Sequence, residues 1–471
     1  MRTLVCLLKP LQIRLIAFFI GLPIGLWIIG QSRNRFGLRS VHWRKKDVGT
    51  RTPISAGVNL VHKTWPPDDL TDLFRSDLGV YSLSLKPWVT DLKKTNHPRV
   101  SHIRLLKALF DSGKINGSNL EKLVWLDTHY RLDGLQPDFQ LYPKIMDLRA
   151  AVRAIKSGKP TNEHPIYDPE LLVIETVNMS CGDPENAAIV GQHSHDCDLV
   201  VMVKSCISCQ SKRAHARSTY MQKHLWNGLK VEFLFVIGLP FIANSSRWKV
   251  EDVEVFTRGQ AANETQLKQQ RYALFNESNV YKDILVGGFN DNYHNLTTKL
   301  IFTFRWASAF CKYCAPIFLY MDDDISVVPE AFVKLVKKLP KDAKREIIGG
   351  LPNTWTTVDR PSVNLGLNRH AVTRKSFPWN RLPTFFYGAG YILGSERLLD
   401  AAIATAYVKF LKMDDVYLGI IWDKLDYKCI KLPGFKLRLT SALDIENIAL
   451  TWSKIIDPHV NWKTGRLLRT P

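Results

Sequence analysis

Apolar and polar positions fall into three textures along the chain. Near the start an almost unbroken apolar run, LIAFFIGLPIGLWIIG, extends from Leu15 to Gly30. Counted from Leu11, with Arg14 reaching back toward the headgroups, the span 11–30 is about twenty residues, enough to cross a bilayer. Trp27 stands near its end, where an interfacial anchor belongs. From residue 31 to about 190 the pattern is polar and broken by proline at Trp65-Pro66-Pro67, Lys159-Pro160 and His164-Pro165. SHIRLLKALF and MDLRAAVRAIKSG have helical periodicity there, and no repeat or low-complexity block occurs. The stretch 31–190 reads as a stem with a small helical subdomain.

After Asp196 the texture changes. DLVVMVKSC is nearly continuous in apolar residues, as expected of a strand covered on both faces. RAHARSTYMQKHLW follows with helical character, and VEFLFVIGLP is a second buried strand. TQLKQQRYALFNES predicts a helix and DILVGGF a short strand. NLTTKLIFTFRWASAFC places Leu296, Leu300, Ile301, Phe304 and Ala307 on one helical stripe. PIFLYMDDD is again a strand, and PEAFVKLVKKL a helix with proline in its first turn. Strands alternating with helices predict an α/β domain with a largely parallel sheet over 191–460. Ligands in such sheets bind at the carboxyl ends of the strands.

Charge first suggests a different partner. The 471 residues include 64 Lys+Arg and 44 Asp+Glu, a formal charge of +20. Residues 1–60 alone carry +9, with Asp47 as their one acid. Nearly half of the apparent nucleic-acid signal is therefore charge flanking the apolar span, available to anionic headgroups. No arginine-rich tract follows, and no nucleic-acid partner is expected. A cleaved signal peptide would want a shorter apolar run and a small-x-small site, whereas GQSRNRF follows here, so an uncleaved anchor is the better reading. The flanking charges alone would favour the opposite topology. Asn-x-Ser/Thr at Asn116, Asn178, Asn244, Asn263, Asn276 and Asn295 breaks the tie. Six glycosylation sequons favour a lumenal body behind a short cytosolic tail, residues 1–10. Seven cysteines follow the span, enough for three disulfides and one thiol. Cys206-x-x-Cys209 and Cys311-x-x-Cys314 also have the spacing of a four-cysteine zinc site.

The carboxylates carry the candidate chemistry. Asp322, Asp323 and Asp324 follow an apolar strand, and in extended geometry residues i and i+2 share a side. Adjacent carboxylates at a strand end repel unless a cation holds them, and hard oxygen ligands at this spacing suit Mg²⁺ or Mn²⁺ on a diphosphate. An acidic turn capping the next helix would look the same. Asp414-Asp415 opens VYLGIIWDKL. One of the pair would cap that helix while the other faces a cleft, where a carboxylate can take a proton from a hydroxyl. FFYGAGYILG, from Phe385 to Gly394, joins three aromatics including Tyr387 to a Gly388-Ala389-Gly390 turn. Its glycines permit close approach of a ligand, although a plain turn into a buried strand fits equally. Lys212, Arg213 and Arg217 follow the first strand, where basic groups meet phosphates.

In this order the blocks resemble the β1,3-galactosyltransferase/β1,3-N-acetylglucosaminyltransferase family, glycosyltransferase family 31, nearest its brainiac-like, lactosylceramide-acting branch. VKSCISCQSKRAHARSTY is similar to that family's VKS followed by R-x-x-I-R-x-T-W, and FLFVIG to its FLFxxG. DILVGGFNDNYHNLTTK, RWASAFCKYCAPIFLYMDDD, FFYGAGYILGS and DDVYLG match further blocks, over roughly 196–428. The resemblance implies a GT-A-type nucleotide-sugar-binding fold and a type II Golgi membrane protein. It also implies inverting, metal-dependent transfer of Gal or GlcNAc from UDP-Gal or UDP-GlcNAc to the 3-hydroxyl of a glycolipid or glycan acceptor. By that resemblance Asp322 and Asp324 would hold Mn²⁺ (or Mg²⁺). Arg213, Arg217, Asp322 and Asp323 would contact the UDP-sugar, and Tyr387, Gly388 and Gly390 would line the donor/acceptor pocket. Asp415, with Asp414 beside it, would be the base. A homo-oligomer is compatible with all of this. The chain departs from the pattern at Ala216, Tyr220 and Gly288, and its one histidine after the DDV block is His459. These departures keep open a non-catalytic UDP-sugar- or glycan-binding reading. A basic, metal-dependent nucleic-acid-binding protein is the remaining alternative, opposed by the anchor and the sequons.

Overall fold

A computed structural model describes residues 58–63, 80–85, 108–109, 111–114, 116–130, 138–177, 197–242, 247–250, 253–256, 261–312, 314–354, 356–361, 370–436, 450–452, 460–461 and 466–467. The anchor span 11–30, Asn178, Asn244 and His459 lie outside them. Among the described residues no helix is long and apolar enough to cross a membrane.

Ten strands form one sheet: β1 (Val58–Lys63), β2 (Val80–Leu85), β3 (Leu171–Glu175), β4 (Leu199–Lys204), β5 (Val231–Leu239), β8 (Ile284–Asn290), β9 (Ile317–Asp322), β11 (Ile348–Asn353), β12 (Phe385–Gly394) and β13 (Ile430–Lys431). β6 (Arg247–Val250) pairs with β7 (Val253–Phe256), and β10 (Ile325–Val327) lies outside the main sheet. The strand order is β1-β2-β3-β8-β5-β4-β9-β12-β11-β13. The parallel character expected from the sequence belongs to the middle block β8-β5-β4-β9. Antiparallel strands flank it on both sides, so the sheet is mixed.

Alternation along the middle strands explains the two-sided burial. Val200 and Met202 of β4 join Leu234, Val236 and Leu285 in one core. Leu199, Val201 and Val203 join Phe235, Ile237, Val286 and Leu319 in the other. Helices α1 (Gly117–Tyr130), α2 (Leu148–Lys156), α5 (Leu296–Phe310), α7 (Ser395–Ala404) and α8 (Asp414–Leu425) supply the first face. The second face receives α3 (Gln210–Ser218), α4 (Glu264–Tyr281) and α6 (Pro329–Lys338). α5 is buried almost all round rather than along one stripe, because it is sandwiched between the sheet and α7. FFYGAGYILG does not turn: all ten residues form β12. Gly288 has a packing reason, since a Cβ there would lie 2.8 Å from Leu172 Cβ on β3. Tyr220 is likewise a buried core residue, its carbonyl accepting the Trp226 indole N–H at 2.7 Å.

The expected boundary near 190 does not separate two cores. β3 pairs with β8, while Phe139, Leu141, Ile145, Met146, Leu148, Val152, Leu171 and Val173 are buried in the same cluster as Leu234 and Leu285. The stretch read as a stem therefore supplies part of the sheet.

The described sequons differ in what folding leaves available. Asn116 and Asn263 are exposed and use Oδ1 to accept the N–H of Asn119 and Gln266. Asn276 is exposed, but its Ser278 is buried. Asn295 donates its amide to the Asn290 carbonyl at 2.8 Å, and its Thr297 is fully buried.

Each buried aliphatic or aromatic side chain contributes about 1.5–3 kcal/mol, so losing those eight, about 12–24 kcal/mol, is comparable to or larger than the roughly 5–15 kcal/mol of a whole domain. A fragment of residues 191–471 is therefore predicted to show no cooperative thermal transition, whereas 51–471 melts cooperatively. Equal melting temperatures for the two would contradict the shared core.

Candidate active site

The order of the parallel strands fixes where a cleft opens. β4, β5 and β8 run outward in sequence, and the chain then returns through α5 to lay β9 on the other side of β4. Open α/β sheets bind ligands beyond the strand carboxyl ends at such a reversal. Lys204, at the end of β4, stands directly opposite Asp322, at the end of β9. On the far side of β9, β12 places Gly390 opposite Met321. α8 packs on β12 because Gly419 lets it: a Cβ there would come within 2.8 Å of the Thr384 carbonyl oxygen and Phe385 Cβ. Asp415 lies one turn earlier on that same face of α8.

Gly388 sits between the two acids. A Cβ on it would lie 3.7 Å from Asp322 Oδ2 and 3.8 Å from Asp415 Oδ2. Both oxygens thus face one small space that the glycine leaves open, and they are no further apart than the sum of those distances. Among the three aromatics of this strand, Phe385 and Phe386 are buried in the core and Tyr387 is half-buried.

The charges are unevenly held. Lys204 Nζ is 2.5 Å from Asp414 Oδ2 and 3.0 Å from Asp322 Oδ1. Burial works against the ammonium, but Asp322 and Asp414 outweigh it and hold the lysine well above its usual pKa. Asp322 is pushed up to about 6, chiefly by its place at the cleft floor and against the pull of Lys204, although over a third of its side chain meets solvent. Asp415 is pushed up to about 7 by burial and then by repulsion from Asp414, with a Val416 N–H donated to Oδ1 and the Lys204 charge opposing. Neither acid caps α8 as the sequence suggested. Met413 occupies the cap, Asp414 turns to Lys204, and Asp415 faces the cleft.

Other expected residues do different work. Asp323 accepts bonds from Ser205 Oγ (2.8 Å), Lys212 Nζ (2.7 Å) and the Cys206 N–H (3.4 Å), fastening the loop after β4 to the end of β9. Asp324 follows in the turn, close enough for its charge to raise Asp322 further. Arg213 and Arg217 are corrected from donor contacts to framework. Arg213 is buried, with Nε and Nη2 on the two oxygens of Glu277 at 2.8 and 2.6 Å and Nη1 on Ser205 Oγ and the Cys206 carbonyl. Arg217 grips Asp283 through two bonds of 2.8 Å, adds Glu277, and stacks on Tyr281. The four-cysteine zinc reading also fails, since Cys206 and Cys209 form a disulfide and Cys311 is disulfide-bonded.

Sequence reasoning missed Lys204 and Lys299. Lys299 donates to the Ser205 carbonyl at 2.6 Å and pairs with Asp291 at 2.7 Å. The available signal was a lysine closing an otherwise apolar buried strand.

The donor set suits a hard divalent cation. Asp322 spends Oδ1 on Lys204 and keeps Oδ2 toward the cleft, with Asp324 beside it. Such a cation takes only one or two carboxylates from protein and completes its shell with phosphate oxygens and water. The one compact group of three metal-type ligands among the described residues, Cys206, Cys209 and Asp323, has its sulfurs joined to each other.

Because folding raises Asp415 from an ordinary value of about 3.9, its stabilising contribution is full below about pH 4 and lost as pH rises through 7. Asp415→Asn keeps the neutral form at every pH. It is predicted to raise the melting temperature of the ligand-free chain by about 3 °C or more at pH 8, with no gain at pH 4. A shift independent of pH would contradict the assigned environment.

Comparison with known proteins finds related sequences over the part of the chain that carries the cleft. Residues 242–433, which include Asp322, Asp324, Gly388 and Asp415, match the family model described as Galactosyltransferase. Lactosylceramide 1,3-N-acetyl-beta-D-glucosaminyltransferase A of Xenopus laevis is 25% identical over 224 residues, 44% of this chain and 57% of the relative. Its B counterpart is 28% identical over 181 residues, 38% and 46% of the two chains. Beta-1,3-galactosyltransferase 1 of Mus musculus is 26% identical over 238 residues, 50% and 63%. The chain thus spans about half the length of these relatives. A solved structure, apo mouse xyloside xylosyltransferase 1, covers 55% of this chain and 98% of its own at 13% identity, with a TM-score of 0.21 too low to bear on the fold. Over residues 242–433 the chain is similar to the galactosyltransferase family.

Proposed function

We propose that this protein is an inverting, divalent-cation-dependent β1,3-glycosyltransferase, moving Gal or GlcNAc from a UDP-sugar to the 3-hydroxyl of a glycolipid or glycan. One observation carries the reading: Asp322 Oδ2 and Asp415 Oδ2 face the same space over Gly388, at the strand ends of a galactosyltransferase-family domain. Inversion needs one carboxylate on the acceptor side to take the hydroxyl proton as the new bond forms. Asp415 has that role, with a pKa near neutrality and an oxygen turned to the cleft. Asp414 is committed to Lys204 and is not the base.

Asp322 and Asp324 would hold Mn²⁺ or Mg²⁺, which when bound neutralises charge on the departing diphosphate. Gly388 keeps the space between the acids free of side chain, and Gly390, two residues on, falls on the same face of β12, whereas Tyr387 packs against the core on the other face. The relatives' names, two of them lactosylceramide transferases, favour GlcNAc transfer to a glycolipid. The anchor span and the sequons support a Golgi membrane position with the body lumenal.

The test offers UDP-Gal and UDP-GlcNAc to residues 51–471 with Mn²⁺ and lactosyl or mannosyl-glucosyl acceptors. Transfer is predicted with one donor, its rate rising from pH 6 to pH 8 as Asp415 loses its proton. UDP binding without transfer from either donor would favour the non-catalytic member of the fold. Asp415→Asn is predicted to lower kcat about 10²–10⁴-fold, and Asp324→Ala to abolish the response to Mn²⁺. Gly388→Ala makes only ordinary contacts, so it should fold as the parent does while its methyl fills the reaction space and lowers kcat about 10²-fold. Full activity of Gly388→Ala would place the chemistry elsewhere.

A further inference from the structure

Among the described residues Lys204 is the one cation that touches both Asp322 and Asp414. It ends β4 after five apolar residues and is itself buried. Its ammonium reaches Asp322 on β9 at 3.0 Å and Asp414 on α8 at 2.5 Å. Apolar side chains in place of a buried ammonium and its carboxylates together are often as stable or more so, whereas removing the ammonium alone leaves charge unpaired. Stability alone therefore does not account for a lysine here.

Geometry supplies the reason. Among the described residues Asp415 receives no hydrogen bond from another element, only that of the Val416 N–H beside it. What sets its distance from Asp322 is the placement of the first turn of α8, and that turn is tied to the sheet end through Asp414 and Lys204. The same ammonium occupies Asp322 Oδ1, leaving Oδ2 as the oxygen turned to the Gly388 space. Resting on the transferase reading above, we propose that Lys204 is a positioning residue: it fixes the separation of the donor-side Asp322 from the base Asp415 and tempers the attraction of Asp322 for a divalent cation.

Two effects of opposite sign follow from removing it. A positive charge 3.0 Å from a cation ligand weakens binding at that ligand. Loss of that charge should tighten Mn²⁺, while loss of the tether should slow transfer. A residue needed only for folding would not separate these effects.

The experiment uses the full chain with Lys204→Met, Lys204→Arg and the charge-balanced double variant Lys204→Met/Asp414→Leu. Mn²⁺ affinity is read by calorimetry without any donor, and kcat and KM by UDP release. Lys204→Met should bind Mn²⁺ about tenfold more tightly, with kcat down about 10²-fold and donor KM within about threefold of the parent. Lys204→Arg should restore much of kcat. The double variant removes the buried Asp414 carboxylate together with its ammonium and leaves Asp322, over a third exposed, to solvent, so it should fold, keep Mn²⁺ affinity near the parent's, and remain about 10²-fold slow. Unchanged or weaker Mn²⁺ binding by Lys204→Met, or parental kcat in the double variant, overturns the proposal. If the parent releases no UDP, the transferase reading fails, and the Mn²⁺ comparison still decides whether Lys204 tempers the acidic cluster.

Discussion

A buried ammonium between two carboxylates is the constraint on which the cleft depends. Lys204 joins the end of the central parallel strand, the end of its neighbour β9 and the first residue of α8. Removing a charge from water costs several kcal/mol per ion, and only close pairing offsets it. The three side chains are therefore held together or not stable at all, which makes the meeting point of three elements rigid. Asp415 inherits its position from that rigidity, and the space over Gly388 is what remains between it and Asp322.

A second ionic framework supports the same strand ends from behind. Glu277 and Asp283 hold Arg213 and Arg217, and Arg213 reaches the Ser205 hydroxyl and the Cys206 carbonyl in the loop after β4. Asp323 and Lys299 grip the same loop from the side of β9 and α5. Basic residues after a first strand suggest phosphate binding, yet here they are spent on keeping a loop still. The Cys206–Cys209 disulfide closes that loop over four residues. Packing on both faces of the sheet completes the support, and the preceding segment contributes β3 and α2 to it.

Much of this was legible along the chain, for identifiable reasons. Buried parallel strands are continuous apolar runs, so β4, β5 and β9 stand out, and Pro329 marks the start of α6. Acids after an apolar strand point to the cleft, and Asp322 and Asp415 do meet there. What was not legible depends on pairing at a distance. β3 is a short strand in a proline-broken region, and its pairing with β8, more than a hundred residues later, joins it to the parallel block. The Gly388-Ala389-Gly390 segment resembles a turn locally but lies within a strand paired on both sides, with β9 and β11. The roles of Asp414 and Asp415 look interchangeable in sequence, and only the position of Lys204, some two hundred residues earlier, tells them apart.

A crystal grown with Mn²⁺ and an intact UDP-sugar, measured at the manganese absorption edge, tests the cleft most directly. An anomalous peak is predicted within about 2.5 Å of Asp322 Oδ2 and an Asp324 oxygen. The sugar should lie over Gly388 with Asp415 on the face opposite the diphosphate. A peak remote from Asp322, or a sugar turned away from Asp415, would contradict the assignment.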